Sequence, residues 1–261
     1  MYTLFYNNKS ALVAQQRKLD IISNNISNVQ TNGYKKIDAQ FADLYQDSLN
    51  RKGYPVTEGV KDLTTGTGVR IGKATRETTQ GTLKETGIST DLAIDGEGLF
   101  KVYMGDGKEA YTRAGSFKAD AAGSLVDGNG NRVSIVDKNG REINNGRNLK
   151  LTNDNFIVDK SGLVSVKTPN GDIQEVGQIK VYDIIGNDSF ASVGDNLFIP
   201  KEGTQVYESN KGTIYQGYLE NSNVNMGEEM TGMILTQRAF QLSSAGLKTA
   251  DEMWGMINTL R

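Results

Sequence analysis

Apolar residues recur at every seventh position near both ends of the chain, and between the ends they come in short alternating bursts. Near the start, Phe5, Leu12, Leu19 and Ile26 form one row, and Ile22 and Val29 form a second row three residues on. No glycine precedes Gly33, and no proline interrupts the stretch. The spacing predicts a helix over 1–32 with an apolar seam close to the coiled-coil period, stopped at Asn32-Gly33. At the far end, Met226, Met233, Phe240, Leu247 and Trp254 repeat the same step. Met230, Met253, Met256, Ile257 and Leu260 widen that stripe, while Gln237, Ser244 and Asp251 break one row. Asn225 is placed to cap the second helix, with Glu228 and Glu229 in the first turn, where the helix dipole favours acidic groups.

Neither helix is strong alone. The first contains Asn7, Asn8, Asn24, Asn25 and Asn28, and the second contains Gly232, Gly246 and Gly255. An interior glycine costs about 1 kcal/mol relative to alanine, so the stripes need burial to hold the helices. Small residues such as Gly246 and Ala250 let another backbone come close. The middle of the chain follows a different rhythm. Runs such as Phe100–Tyr103, Arg132–Val136, Phe156–Val158 and Gly177–Tyr182 are separated by turn dipeptides, among them Asp106-Gly107, Asp127-Gly128, Asn139-Gly140, Ser161-Gly162 and Asn170-Gly171. This pattern predicts a string of β-hairpins closing into a sandwich or irregular barrel. The fold class is therefore α+β. The terminal segments 1–45 and 215–261 pair as a coiled-coil-like helical domain. Residues 46–65, with Arg51, Lys52, Gly53, Pro55 and Gly59, form an extended connector, and 66–214 form a β-rich domain of short antiparallel strands.

Composition mainly excludes. The 261 residues contain no cysteine and no histidine, so there is no disulfide, thiolate nucleophile, Cys-based metal site or His-based triad. A net charge of −2 gives no electrostatic reason to expect nucleic acid. No run of 18 apolar residues suggests membrane insertion, and Asn7, Asn8, Lys9 and Ser10 interrupt any signal-peptide pattern. Residues 1–45 carry a net +2 and residues 215–261 a net −2. Exposed pairs contribute about 0–1 kcal/mol each, so this difference biases the pairing of the ends without driving it.

Candidate chemistry is sparse. Asp127-Gly128-Asn129-Gly130-Asn131 alternates oxygen ligands like a calcium loop, but Arg132 and Lys138 stand where an EF-hand needs glycine and glutamate, so a tight turn is the better reading. Gly66-Thr67-Gly68 and Gly96-Glu97-Gly98 complete no nucleotide motif and read as turns or bulges. Asp91 with Asp95, or Asp95 with Glu97, are acid pairs of the glycosidase type, but chance pairs abound among 31 acidic residues. Asn8-Lys9-Ser10, Asn25-Ile26-Ser27 and Asn187-Asp188-Ser189 match the glycan acceptor pattern by coincidence. No catalytic residue, cofactor or metal ligand is predicted. The seams themselves have two readings: an intramolecular helix pair packed on the core, or ends that order when copies assemble.

At this point the residues resemble a known family. Ser23-Asn24-Asn25-Ile26-Ser27-Asn28-Val29-Gln30-Thr31-Asn32-Gly33-Tyr34-Lys35 is similar to the ANN-x-ANV-x-T-x-G-[FY]-K signature of bacterial flagellar rod and hook proteins. Gln80-Gly81-Thr82-Leu83 with Thr86-Gly87, Asp91–Phe100, Tyr111-Thr112-Arg113-Ala114-Gly115-Ser116-Phe117, and Gly217–Asn225 resemble further motifs of that family, in the family's order. Length and Gly66-Thr67-Gly68-Val69-Arg70 look most like the distal-rod branch and next like the proximal-rod branch. Ser23 and Ser27 replace family alanines, Lys9-Ser10-Ala11 stands where Thr-Gly-Met is common, and Leu99 replaces a usual phenylalanine.

The resemblance implies a structural subunit, not an enzyme. It would be exported by the flagellar type III apparatus without a cleaved signal peptide and would assemble helically with copies of itself and with other rod and hook proteins. The product would be a hollow torque-transmitting shaft in the basal body, within the cell envelope. The assembly interface would be Phe5, Leu12, Leu19, Ile22, Ile26, Val29, Met226, Met230, Met233, Phe240, Leu247 and Trp254. The alternatives are a hook-type axial protein of the same family, a monomeric envelope module holding a ligand such as peptidoglycan, and an enzyme acting on cell wall.

Overall fold

The computed structural model describes residues 2–48, 64–121, 123–137, 140–143, 155–168, 172–184, 189–209 and 211–259. It is an α+β protein. One helix at each end, α1 (Tyr2–Ser27) and α2 (Met226–Thr259), brackets a long succession of short strands. The chain divides into two compact units. The first comprises residues 1–27, 37–75 and 225–261, and the second comprises residues 28–36 and 76–224.

In the first unit, α1 and α2 run antiparallel. Asn25 meets Glu229, Ile22 approaches Gly232, and Asn8 approaches Gly246. Asn225 caps α2 as its sequence position predicts: its Oδ1 accepts the Gly227 N–H at 3.0 Å. Beside the helices, strand Phe41–Asp43 pairs antiparallel with Val69–Ile71, and Gln46–Ser48 pairs with Thr64–Gly66. The inner part of the predicted connector, 49–63, lies outside the described residues. Gly66-Thr67-Gly68 is an irregular joint between these two strand pairs. Gly68, at φ +135°, comes so close to α1 that a Cβ there would sit 2.5 Å from the Ser10 hydroxyl.

The helix predicted through Asn32 ends earlier, at Ser27. Asn28 turns the chain: its carbonyl accepts the Thr31 N–H at 3.1 Å and its side-chain oxygen accepts the Thr31 hydroxyl at 3.1 Å. Val29, placed in the helical seam by spacing, belongs instead to the segment 28–36, which packs with the β unit. Period alone could not show this, because asparagine's side chain competes for backbone partners and lets tertiary demand decide where the helix stops.

The second unit is built on a nine-stranded antiparallel sheet. Its main path runs Lys118–Ala119, Leu125–Val126, Arg132–Val133, Leu99–Tyr103, Glu109–Thr112, Leu197–Pro200, Phe190–Gly194. Phe156–Val158, Leu163–Lys167 and Ile173–Gln178 form a separate three-stranded ladder. The core is one cluster drawn from both sheets and from segments beside them, with Leu92, Phe100, Val102, Phe117, Val164 and Ile179 almost wholly buried. Strand alternation is clear in Leu99–Tyr103, where Phe100 and Val102 are buried between half-buried neighbours. The Asp127 turn behaves as read from sequence. Asp127 Oδ1 accepts the N–H groups of Asn129 and Asn131 at 2.8 Å each, and the turn closes a hairpin. A further hairpin turn lies at Asp195 and Asn196, which both take positive φ, 51° and 57°, and link Phe190–Gly194 to Leu197–Pro200.

Candidate assembly interface

Within the first unit, the centre of the helix pair is not the apolar seam. On α2 the buried residues are Glu229, Thr236 and Ala250, spaced by multiples of seven. On α1 the buried residues are Ala14, Ile22 and Asn25, of which Asn25 meets Glu229. Asn25, 1% exposed, extends the backbone pairing of the next segment. Its Nδ2 donates to the Ile37 carbonyl at 2.9 Å, its Oδ1 accepts the Ile37 N–H at 3.0 Å, and Nδ2 also donates to Glu229 Oε2 at 3.1 Å. Small and polar residues at the centre let the helices come close and fix their register. A purely greasy contact would leave that register free to slide.

Apart from Ile22, the predicted interface residues on the two helices flank this centre. Ile22 is buried; Leu12, Leu19, Ile26, Met226, Met233, Phe240 and Leu247 are half-buried; Phe5, Met230 and Trp254 are exposed. A row missed by the seven-residue count is more open: Ile234 is 59% exposed, Leu235 66% and Leu242 74%. Ile234 lies two residues from Thr236, about 200° around the helix, so it faces away from the buried row. On α1, Leu4, Tyr6 and Val13 are likewise exposed. Solvent-facing apolar residues at these spacings could have been found by scoring the whole helical wheel for a second stripe.

The second unit holds a different kind of centre, built on one carboxylate. Glu220, 2% exposed, ends the strand Tyr218–Glu220. Its Oε1 accepts Lys35 Nζ at 2.7 Å and the Gly81 N–H at 2.9 Å; its Oε2 takes Arg113 Nε; and its carbonyl accepts the Gly33 N–H at 2.8 Å. Arg113, 4% exposed, spends its remaining donors on the carbonyls of Ile94, Gly96 and Gly98. Lys35 also donates to the Thr79 carbonyl at 2.8 Å. Alongside, Asn223 Oδ1 accepts the Lys36 N–H at 2.6 Å, and Arg76 lies over the rings of Tyr34 and Phe198. The glycines at Gly96 and Gly98 thus aim carbonyls at a guanidinium. A cradle of acceptors does not suit a phosphate, which needs donors.

Burial alone would push the Glu220 carboxyl up, but the Arg113 charge and the hydrogen bond and charge of Lys35 outweigh it and hold the group below its ordinary range. Burial pushes Lys35 down, Arg113 adds repulsion, and Glu220 only partly offsets them. Gly33 sits at φ +69°, and a Cβ there would lie 2.6 Å from the Ala114 nitrogen, so glycine alone lets segment 28–36 lie against the Arg113 strand end. Asp91 is a buried acceptor for the Thr86 hydroxyl at 2.6 Å, whereas Asp95 and Glu97 are exposed. Among the described residues, no group of acidic side chains is arranged to hold a metal, and no helix is long and apolar enough to cross a membrane.

Three family models match the chain in succession: the flagella basal body rod protein over residues 5–35, the flagellar hook protein FlgE/F/G D1 domain over 93–216, and the flagellar basal body rod FlgEFG protein C-terminal over 215–260. The relatives agree. The flagellar basal-body rod protein FlgG of Borreliella burgdorferi is 37% identical over 97% of this chain and 96% of its own. FlgG of Buchnera aphidicola from Acyrthosiphon pisum is also 37% identical, over 97% of both chains, and FlgG of Bacillus subtilis is 33% identical over the same shares. The chain belongs to the flagellar basal-body rod protein family. In this rod protein the Glu220 centre draws on every matched segment: Gly33 and Lys35 come from the first, Arg113 from the second and Glu220 from the third. The family's scattered motifs are thus the parts of one buried ion cluster.

Proposed function

We propose that this chain is a structural subunit of the flagellar rod that self-assembles through its terminal helices into a hollow, torque-transmitting shaft. The observation that carries the reading is the second apolar row of α2, Ile234, Leu235 and Leu242, left exposed on a helix whose other side is already closed against α1. Apolar side chains in such a row gain about 25 cal/mol for each Å² removed from water, so neighbours that cover it are stabilised together. On this reading copies of itself and other rod and hook proteins are the partners. The seam residues Phe5, Met230 and Trp254 lie at the rim of the contact, with Leu12, Leu19, Ile26, Met226, Met233, Phe240 and Leu247 behind them. The flagellar type III apparatus exports the chain without a cleaved signal peptide. Glycines within α2 support that route, because a helix weakened at Gly232, Gly246 and Gly255 unfolds readily for passage through a narrow channel.

The test is polymerisation of the concentrated protein, followed by negative-stain microscopy. Wild type forms regular tubes. Leu242→Asp, which changes a residue 74% exposed, abolishes them and leaves the thermal melt of the monomer unchanged. Tubes of normal yield from Leu242→Asp would sink the outer row as an interface. No tubes from wild type under any condition would favour a monomeric envelope module instead.

A further inference from the structure

In the first unit, α1 and strand Val69–Ile71 enclose a groove of about 280 Å³. It is lined by apolar groups from Tyr6, Val13, Val69 and Ile71 and by three cations, Lys9, Arg17 and Arg70. All three cations are exposed, and none makes an ion pair or side-chain hydrogen bond among the described residues. The volume lies just under the range of small-ligand pockets, so it suits one or two protein side chains better than a cofactor. Three like charges around an apolar recess select an occupant that offers carboxylate and hydrocarbon together.

The last turns of α2 offer that pairing. Asp251 and Glu252 are exposed, lack partners among the described residues, and are the charged side chains between Lys248 and Arg261. Met256, 58% exposed, lies four residues beyond Glu252 and so on the same face of the helix. The chain's own α2 end falls short of the inner part of its own groove, at Val13 and Arg17. The register that sets Asn25 against Glu229 and Asn8 against Gly246 puts Glu252 level with Tyr2 and carries residues 253–256 past the start of α1. At 1.5 Å per residue Met256 is about 20 Å along the helix from Val13, and Glu252 is about 20 Å from Arg17 and about 10 Å from Lys9.

Resting on the self-assembly reading, we propose that the groove receives the α2 end of a second copy. Met256 enters the apolar recess, and Glu252 sits among Arg17, Arg70 and Lys9. This contact is heterologous, the groove of one copy taking the tail of the next, which is the kind that propagates a filament.

The absence of native cysteine makes the test direct. Val13→Cys and Met256→Cys, prepared separately, are mixed under polymerising conditions and oxidised. A disulfide-linked heterodimer is expected from the mixture and from neither variant alone, and the double variant is expected to give a ladder. In parallel, Arg70→Glu and Glu252→Lys each raise the protein concentration needed for polymerisation about tenfold, and the combined charge swap restores it. If wild type polymerises yet the mixture yields no heterodimer and Arg70→Glu is neutral, the groove is not the socket. A monomeric intramolecular crosslink in the dilute double variant assigns the groove to the chain's own tail and overturns the proposal. If wild type never polymerises, the self-assembly reading fails, and this contact fails with it.

Discussion

Lys35 and Glu220, 185 residues apart in sequence, are joined at 2.7 Å beneath the surface of the β unit. Arg113 shares the same carboxylate, so one acid is the counter-charge to two cations. Removing the acid leaves both cations without a counter-charge in a poorly solvated place, and this governs the cost. Glu220→Gln is expected to destabilise the β unit by about 3 kcal/mol or more. Urea unfolding followed by tyrosine fluorescence measures it, and a midpoint equal to wild type would refute the role assigned to the cluster.

The same carboxylate sets an acid limit. Its folded-state titration lies below the ordinary range, while in the unfolded chain it titrates near about 4.3. Between those two values the unfolded state binds more protons, so this stabilisation is complete above the unfolded value and is lost as pH falls through the folded one. The stability difference between wild type and Glu220→Gln should hold steady from neutral pH to about pH 5 and shrink below about pH 4. Parallel stability curves down to the lowest pH at which both variants fold would contradict it.

Asn25 pairs with both backbone groups of Ile37 and also reaches Glu229. Asn25→Ala leaves an N–H, a carbonyl and part of a carboxylate short of partners, at an expected cost of about 2 kcal/mol or more to the helical unit. Thermal melting by far-UV circular dichroism reads this, with the helical signal lost at lower temperature. Asn25→Leu fills the volume without supplying the bonds and should not rescue it.

Gly115 lies where a Cβ would fall 1.6 Å from the Leu92 carbonyl oxygen, a fixed backbone atom. Gly115→Ala must displace one chain segment from another, so a loss of about 3 kcal/mol is expected, at the upper end of ordinary overpacking. Gly107→Ala is the control for backbone conformation. It has φ +80° but nothing within 4 Å of its missing Cβ, so it should cost only the strain of the left-handed turn, about 1 kcal/mol. Equal losses at the two positions would show that close approach is not what Gly115 provides.

Local periodicity made much of this protein legible. A seven-residue apolar repeat reports one helix and one face, and turn dipeptides between alternating runs report strands, because both depend on neighbours within a few residues. The terminal helices, the Asn225 cap, the Asp127 turn and the β-rich middle could all be read that way. The shift of Val29 out of α1, the polar centre of the helix pair at Asn25 and Glu229, and the meeting of Lys35, Arg113 and Glu220 could not. A charged residue in a strand looks the same whether it faces solvent or a buried partner 107 positions away, as Arg113 and Glu220 are. Only the folded chain decides which, because burial and pairing depend on segments distant in sequence being brought within hydrogen-bond range.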